Sequence, residues 1–323
     1  MRRALVPSLA ALVALALPGV ASAHVGSTLP VATNFEARIA GFDPPAPGLE
    51  AKVVDGDQTL WLRAAPATTV LVPGVLGEPL LRFDRRGVWL NLRSPTAQSD
   101  RIDLFDLRPS SDANAAPLWH RVTSGHSYEW HEHRLHVLEP LARGSDATLG
   151  PWSVPLVVDG RPHRLDGVLD YTSPGAVWAW LGLTAALAVA ASAAASRRSG
   201  TAVRLALVAT PLIWAVRLGR ELYGRPDVGV VGYLEMAGTS VVGAALLYGL
   251  LRRDREVRIF TAFLVGFGSL YEGLTMLGVL THAIALTALP TIVARVAVLL
   301  ILGLGTGALV GSATSQVRTR TVQ

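Results

Sequence analysis

Apolar and polar positions divide the chain into two regimes. Over residues 24–175, short runs with strand-like alternation are broken every few positions by Gly, Pro, Asp and Asn. Over 176–323, apolar residues continue for about 20 positions at a time, the length that crosses a bilayer as a helix. In the first regime the pattern predicts paired strands over 49–54 and 59–63 across Asp55-Gly56-Asp57, and over 80–83 and 88–92 across Arg85-Arg86-Gly87. Further strands are expected at 69–72, 127–139, 153–158 and 163–171, the last two joined through Asp159-Gly160. Strands this short and this regularly spaced predict an antiparallel β-sandwich over 24–173. Residues 94–118 read as a long loop, and Pro174-Gly175 as a hinge.

The second regime predicts a five-helix transmembrane α-bundle over 174–323, with spans at about 176–195, 203–219, 229–251, 259–281 and 284–311. Arginines fix the expected orientation. Arg197, Arg198 and Arg204 fall between the first two spans, Arg252, Arg253, Arg255 and Arg258 between the third and fourth, and Arg318 and Arg320 after the fifth. All three clusters lie on one side of a five-span topology, which the positive-inside rule assigns to the cytoplasm. Residues 24–173 then form an extracytoplasmic domain, and Trp178 and Trp180 sit where an interfacial aromatic belt belongs.

Residues 1–23 agree with this orientation. Two arginines precede an apolar stretch that ends in Ala-Ser-Ala, the pattern of a secretory signal peptide cleaved after Ala23. An uncleaved anchor helix is the alternative. Cleavage makes His24 the new N-terminus. Composition supports a multi-pass protein of the cytoplasmic (cell) membrane, in contact with the lipid bilayer: only 16% of residues are charged, against about a quarter in soluble domains. The arginines sit at span ends and form no patch, so a nucleic-acid partner is not expected. The chain has no cysteine, which excludes disulfides, thiolate nucleophiles, iron–sulfur clusters and Cys-ligated zinc.

The candidate chemistry lies in the histidines. Seven of the eight precede residue 175, and four fall in HSYEWHEHRLH, residues 126–136. On a strand His131 and His133 share a face about 7 Å apart, a separation that lets two imidazoles converge on one ion. Strand alternation points Trp130, Glu132, Arg134 and His136 the other way, which makes His136 the weaker ligand unless the strand end turns it back. A mature N-terminal His24 adds an α-amino group and an imidazole in one chelate, and this nitrogen-rich, tetragonal set suits Cu(II). Zinc on three histidines is a lesser expectation. Glu132 and Arg134 read either as supports that orient the imidazoles or as a cross-strand ion pair. His120 and His163 lack neighbours at ligand spacing and read as structural or solvated, and His126 ranks below the cluster.

Polar side chains inside the apolar stretches form a second group. Glu235, Glu272 and Arg295 fall within the third, fourth and fifth expected spans, and His282 lies in the same outer half. Charges at that depth are costly and are usually paired or functional. They read as a polar intramembrane pocket, or as interhelical ion pairs such as Arg295 with Glu272 and Arg217 with Glu235.

At WHEHRLH (130–136) the sequence resembles an uncharacterised family of bacterial membrane proteins whose outer domain carries a Trp-His-Asp-His-Arg-x-His-Trp signature. GEPLLRF (77–83) and GVWLNLRSP (87–95) are similar to that family's Glu-Pro-Tyr-Leu-Arg and Gly-Val-x-x-Asn-x-x-Ser-Pro stretches. Glu132, Val137 and Leu80 depart from the pattern, which has Asp, Trp and Tyr there. The layout also resembles copper-resistance proteins of the CopC/CopD type, in which a β-sandwich with an N-terminal histidine precedes a membrane domain. That resemblance implies copper by architecture and His24 alone.

Together these readings lead to an expected membrane-anchored, extracytoplasmic metal-binding protein, with His24, His131, His133 and His136 as ligands for Cu(II), serving copper homeostasis or delivery. A metallochaperone or copper enzyme is the expected protein partner. An oxygen-activating copper oxidoreductase built on the N-terminal histidine and a metal-free structural or interaction protein are the competing expectations.

Overall fold

The computed structural model describes residues 30–99, 111–136, 145–224 and 230–321; the expected signal peptide 1–23 and His24 lie outside them. The chain forms two compact units. Asn34–Ser173 make one, and the chain from Pro174 onward, together with Pro30–Thr33, makes the other.

The first unit is built of antiparallel strands. After β1 (Ala32–Thr33), which belongs to the helical unit, come β2 (Phe35–Asp43), β3 (Leu49–Val54), β4 (Thr59–Ala64), β5 (Val70–Pro73), β6 (Pro79–Asp84) and β7 (Gly87–Asn91). They are followed by β8 (Trp119–Thr123), β9 (Ser127–His131), β10 (Ala147–Val158) and β11 (Arg161–Tyr171). A seven-stranded sheet runs in the order β2-β11-β10-β5-β6-β7-β8, and a three-stranded sheet in the order β3-β4-β9. Turn chemistry sets the registers. Asp159 and Gly160 both take left-handed backbone (φ 48° and 79°), so Val158 pairs directly with Arg161 in a two-residue hairpin. Asp55 and Gly56 do the same at the β3–β4 turn (φ 59° and 79°), a conformation that Asp tolerates better than most side chains.

Alternation along these strands feeds one apolar core. It takes Leu60 and Leu62 from β4, Trp130 from β9, Leu81 and Phe83 from β6, and Val154 and Leu156 from β10. A second structural centre is polar. Glu78, only 3% exposed, accepts hydrogen bonds from Ser94 Oγ (2.6 Å), Thr96 N (3.1 Å) and Leu76 N (3.1 Å). Asn91 Nδ2 donates to the carbonyl of Pro79 at 2.8 Å. Burial alone would push the Glu78 carboxyl up, but the Ser94 and Thr96 hydrogen bonds outweigh it and hold the group below the usual range. The Glu-Pro and Asn-x-x-Ser-Pro stretches are thus two halves of one buried network.

Strands β2 and β8 were not expected. The FEARIAGFD segment of β2 keeps most of its surface partly exposed, so its alternation is faint. Part of the loop expected over 94–118 is a short helix, α1 (Pro95–Ser99), and residues 100–110 lie outside the described residues.

Among the described residues the second unit has five helices long and apolar enough to cross a membrane: α2 (Val177–Arg197), α3 (Ser199–Glu221), α4 (Val230–Leu251), α5 (Arg255–Thr275) and, after the short α6 (Gly278–Thr281), α7 (Thr291–Thr321). Helix α7 packs against α2, α3 and α5. Close approach depends on small residues: a Cβ on Gly307 would lie 2.6 Å from Ala191 Cβ, and one on Gly266 would lie 2.5 Å from Leu309 N. The fourth and fifth helices are shifted from the expected spans. Residues 276–290 leave the helical path to form α6 and β12 (Ile284–Ala285), which pairs antiparallel with β1. Gly278 and Pro290 bracket this break, and the β1 partner comes from some 250 residues earlier, which no local pattern reveals.

Candidate metal centre

The strand expected over 127–139 ends at His131. The chain then makes a 3-10 turn, His133–Leu135, capped by the Glu132 side chain, which accepts from Arg134 N at 3.1 Å. Glu132 is 2% exposed and is held from three directions: Trp130 Nε1 donates at 3.0 Å, and Arg134 Nε and NH2 each donate at 2.6 Å. Arg134 also donates to the Pro73 carbonyl at 3.1 Å, which ties the turn to β5, and Leu135 is buried completely beneath it. A carboxylate, an indole and a guanidinium therefore fix a turn that an alternating strand pattern does not contain.

The turn corrects the expected side-chain directions. His131, His133 and His136 come together, each offering a nitrogen within 4.8 Å of the others. The rings of His131 and His133 meet edge-on with centroids 4.7 Å apart, and His131 and His136 are also 4.7 Å apart. His136 Nε2 lies 3.2 Å from His131 Nε2, so His136 is not the outlying member that strand alternation makes it. His131 and His133 converge because the backbone bends after Glu132, not because they share a strand face. All three imidazoles are partly exposed, which leaves them open to an ion from solvent.

A carboxylate does lie beside an imidazole here, but it is Asp57, which sequence reasoning treated only as a turn residue. Asp57 Oδ2 lies 3.2 Å from His136 Nδ1. Glu132 contacts Trp130 and Arg134 in the contacts above, so the ion-pair reading of Glu132 and Arg134 describes them, although the pair lies within the turn and not across strands. Burial holds His131 below the ordinary histidine value, helped by His136 and His133 and opposed by Glu132 and Asp57. A depressed imidazole keeps its lone pair available at lower pH, which favours ligation.

His24 lies outside the described residues. His163 Nδ1 meets the Pro44 carbonyl at 2.8 Å, a structural contact, and His120 pairs in the β7–β8 ladder.

The intramembrane residues are placed differently from either expected pairing. Arg217 Nε lies 3.7 Å from Glu272 Oε1. Arg295 donates instead to backbone carbonyls, to Val279 at 3.2 Å, His282 at 2.6 Å and Ala283 at 3.2 Å, and its guanidinium lies 5.9 Å from the Trp180 ring centroid. It satisfies the carbonyls freed where α6 gives way to β12. His282 Nδ1 is within 3.0 Å of the Gly278 carbonyl and 3.1 Å of Thr281 Oγ1. Glu235 is exposed on α4 and has no partner among the described residues.

No protein-family model, curated protein or solved structure matches the chain.

Proposed function

We propose that this is a membrane-anchored, extracytoplasmic metal-binding protein whose His131, His133 and His136 hold a divalent ion, Cu(II) foremost, for copper homeostasis or delivery. The single observation that carries this is the convergence of three imidazole nitrogens within 4.8 Å on a braced turn. Donor chemistry supports the choice of metal. Residues 34–173 contain neither Met nor Cys, so the sheet unit offers only nitrogen and oxygen. Among divalent first-row ions such a set ranks Cu(II) highest, and it disfavours the softer Cu(I).

Around this centre the two sheets close over their common core as a β-sandwich. The chain lies in the cell membrane with the sheet unit outside. Cleavage after Ala23 exposes His24, whose amino and imidazole nitrogens join the ligand set.

Metal analysis and calorimetric titration of the full-length protein in detergent test the reading. Stoichiometric Cu(II), lost in the His131→Ala/His133→Ala double variant, is expected. Equal Cu(II) affinity in both proteins would sink it, and tighter Zn(II) binding under competition would reassign the metal.

A further inference from the structure

Asp57 reaches the histidine cluster from a different hairpin, and it is buried, with 4% of its surface exposed. Each of its carboxylate oxygens has a partner. Oδ1 accepts from Gln58 Nε2 at 3.2 Å, and Oδ2 faces His136 Nδ1 at 3.2 Å. The backbone holds this arrangement in place: Thr59 pairs with His131 in the ladder, and Glu132 N donates to the Gln58 carbonyl at 3.1 Å.

The chemistry of the contact is directional. An ionised carboxylate only accepts hydrogen bonds, so the His136 nitrogen that faces it carries the proton. A neutral imidazole has one N–H, so Nε2 of His136 carries the lone pair. That lone pair faces His131 Nε2 at 3.2 Å, inside the cluster. A buried carboxylate behind a ligand also offsets part of a dication's charge.

We infer that Asp57 is a positioning residue of the metal centre, fixing the Nδ1–H tautomer and ring plane of His136 so that Nε2 is offered to the ion. The inference rests on the metal reading above, but its first readout does not. Long-range nitrogen–proton NMR correlations on isotope-labelled histidines of the full-length, metal-free protein in micelles, above the histidine titration range, report the tautomer of His136 directly. The wild type is expected as Nδ1–H, and Asp57→Ala as a mixture with substantial Nε2–H. Asp57→Asn, which keeps an acceptor oxygen and the side-chain shape, is expected to retain the tautomer while losing the charge. Cu(II) affinity measured on the same samples should fall about 10–100-fold in Asp57→Ala, the usual effect of removing such a partner, with a smaller fall in Asp57→Asn. An Nε2–H His136 in the wild type, an unchanged tautomer in Asp57→Ala, or wild-type affinity in both variants would overturn the inference. A wild type that binds no metal yet shows the Asp57-dependent tautomer would overturn the metal reading alone.

Discussion

His136 Nε2 lies 3.2 Å from His131 Nε2, although a strand running through both would send them to opposite faces. At that distance an N–H on one imidazole can donate to the lone pair of the other. In this protein the contact exists because Glu132, buried and held by Trp130 and Arg134, ends the strand and starts a tight turn.

The ligand assignment predicts a graded response to alanine substitution. Replacing His131, His133 or His136 should each weaken Cu(II) by more than the roughly 10–100-fold lost with an outer partner. His163→Ala should leave it unchanged, because that ring is committed to the Pro44 carbonyl. Isothermal titration of the full-length variants decides, and wild-type affinity in His136→Ala would remove it from the ligand set.

The brace predicts a stability effect that is separable from ligation. Arg134→Ala leaves the Glu132 carboxylate buried without its guanidinium, a loss of about 3–5 kcal/mol for a broken buried pair. Glu132→Asp, which keeps a carboxylate at the turn, should cost less. Denaturation midpoints of the metal-free protein measure both, with exposed Arg161→Ala as the control. A shift for Arg134→Ala no larger than the control's would contradict the brace.

His131 predicts a pH window for the metal-free protein. Burial lowers its proton affinity in the folded state, whereas the unfolded chain titrates at about 6.5. As pH falls through that value the unfolded chain takes a proton that the folded chain resists, so stability drops from there down to the folded value; above it His131 contributes no slope. His131→Gln should remove this component, which thermal melting across the window would reveal as a flatter pH profile. Parallel profiles for the two proteins would refute it.

Packing in the helical unit predicts which glycines matter. Gly307→Ala places a methyl 2.6 Å from Ala191 Cβ and should cost about 1–3 kcal/mol of overpacking. Gly182→Ala meets nothing within 4 Å and should be neutral or slightly stabilising. Thermal unfolding in detergent compares them, and equal midpoints would contradict the close α2–α7 approach.

The proposed orientation is open to a direct test, because the native chain has no cysteine. A cysteine introduced at Arg198 or Arg253 should resist membrane-impermeant thiol reagents in intact cells, and one at Asp112 should react. Labelling at all three positions would overturn the five-span topology with the sheet unit outside.

Local pattern determined a good deal of this protein. Five long apolar helices follow from run length, and the β3–β4 and β10–β11 hairpins follow from Asp-Gly turns, since both signals are complete within a few residues. The three histidines were visible as a cluster for the same reason, lying within six positions. Their convergence was not. It needs Arg134 anchored to Pro73, 61 residues away, and Asp57 delivered to His136 from 79 residues away. The β1–β12 pair and the Arg217–Glu272 contact likewise join segments that no periodicity links. Periodicity reports the face a residue presents while an element continues; where an element stops is decided by side chains that become buried and hydrogen-bonded only once distant strands have closed around them.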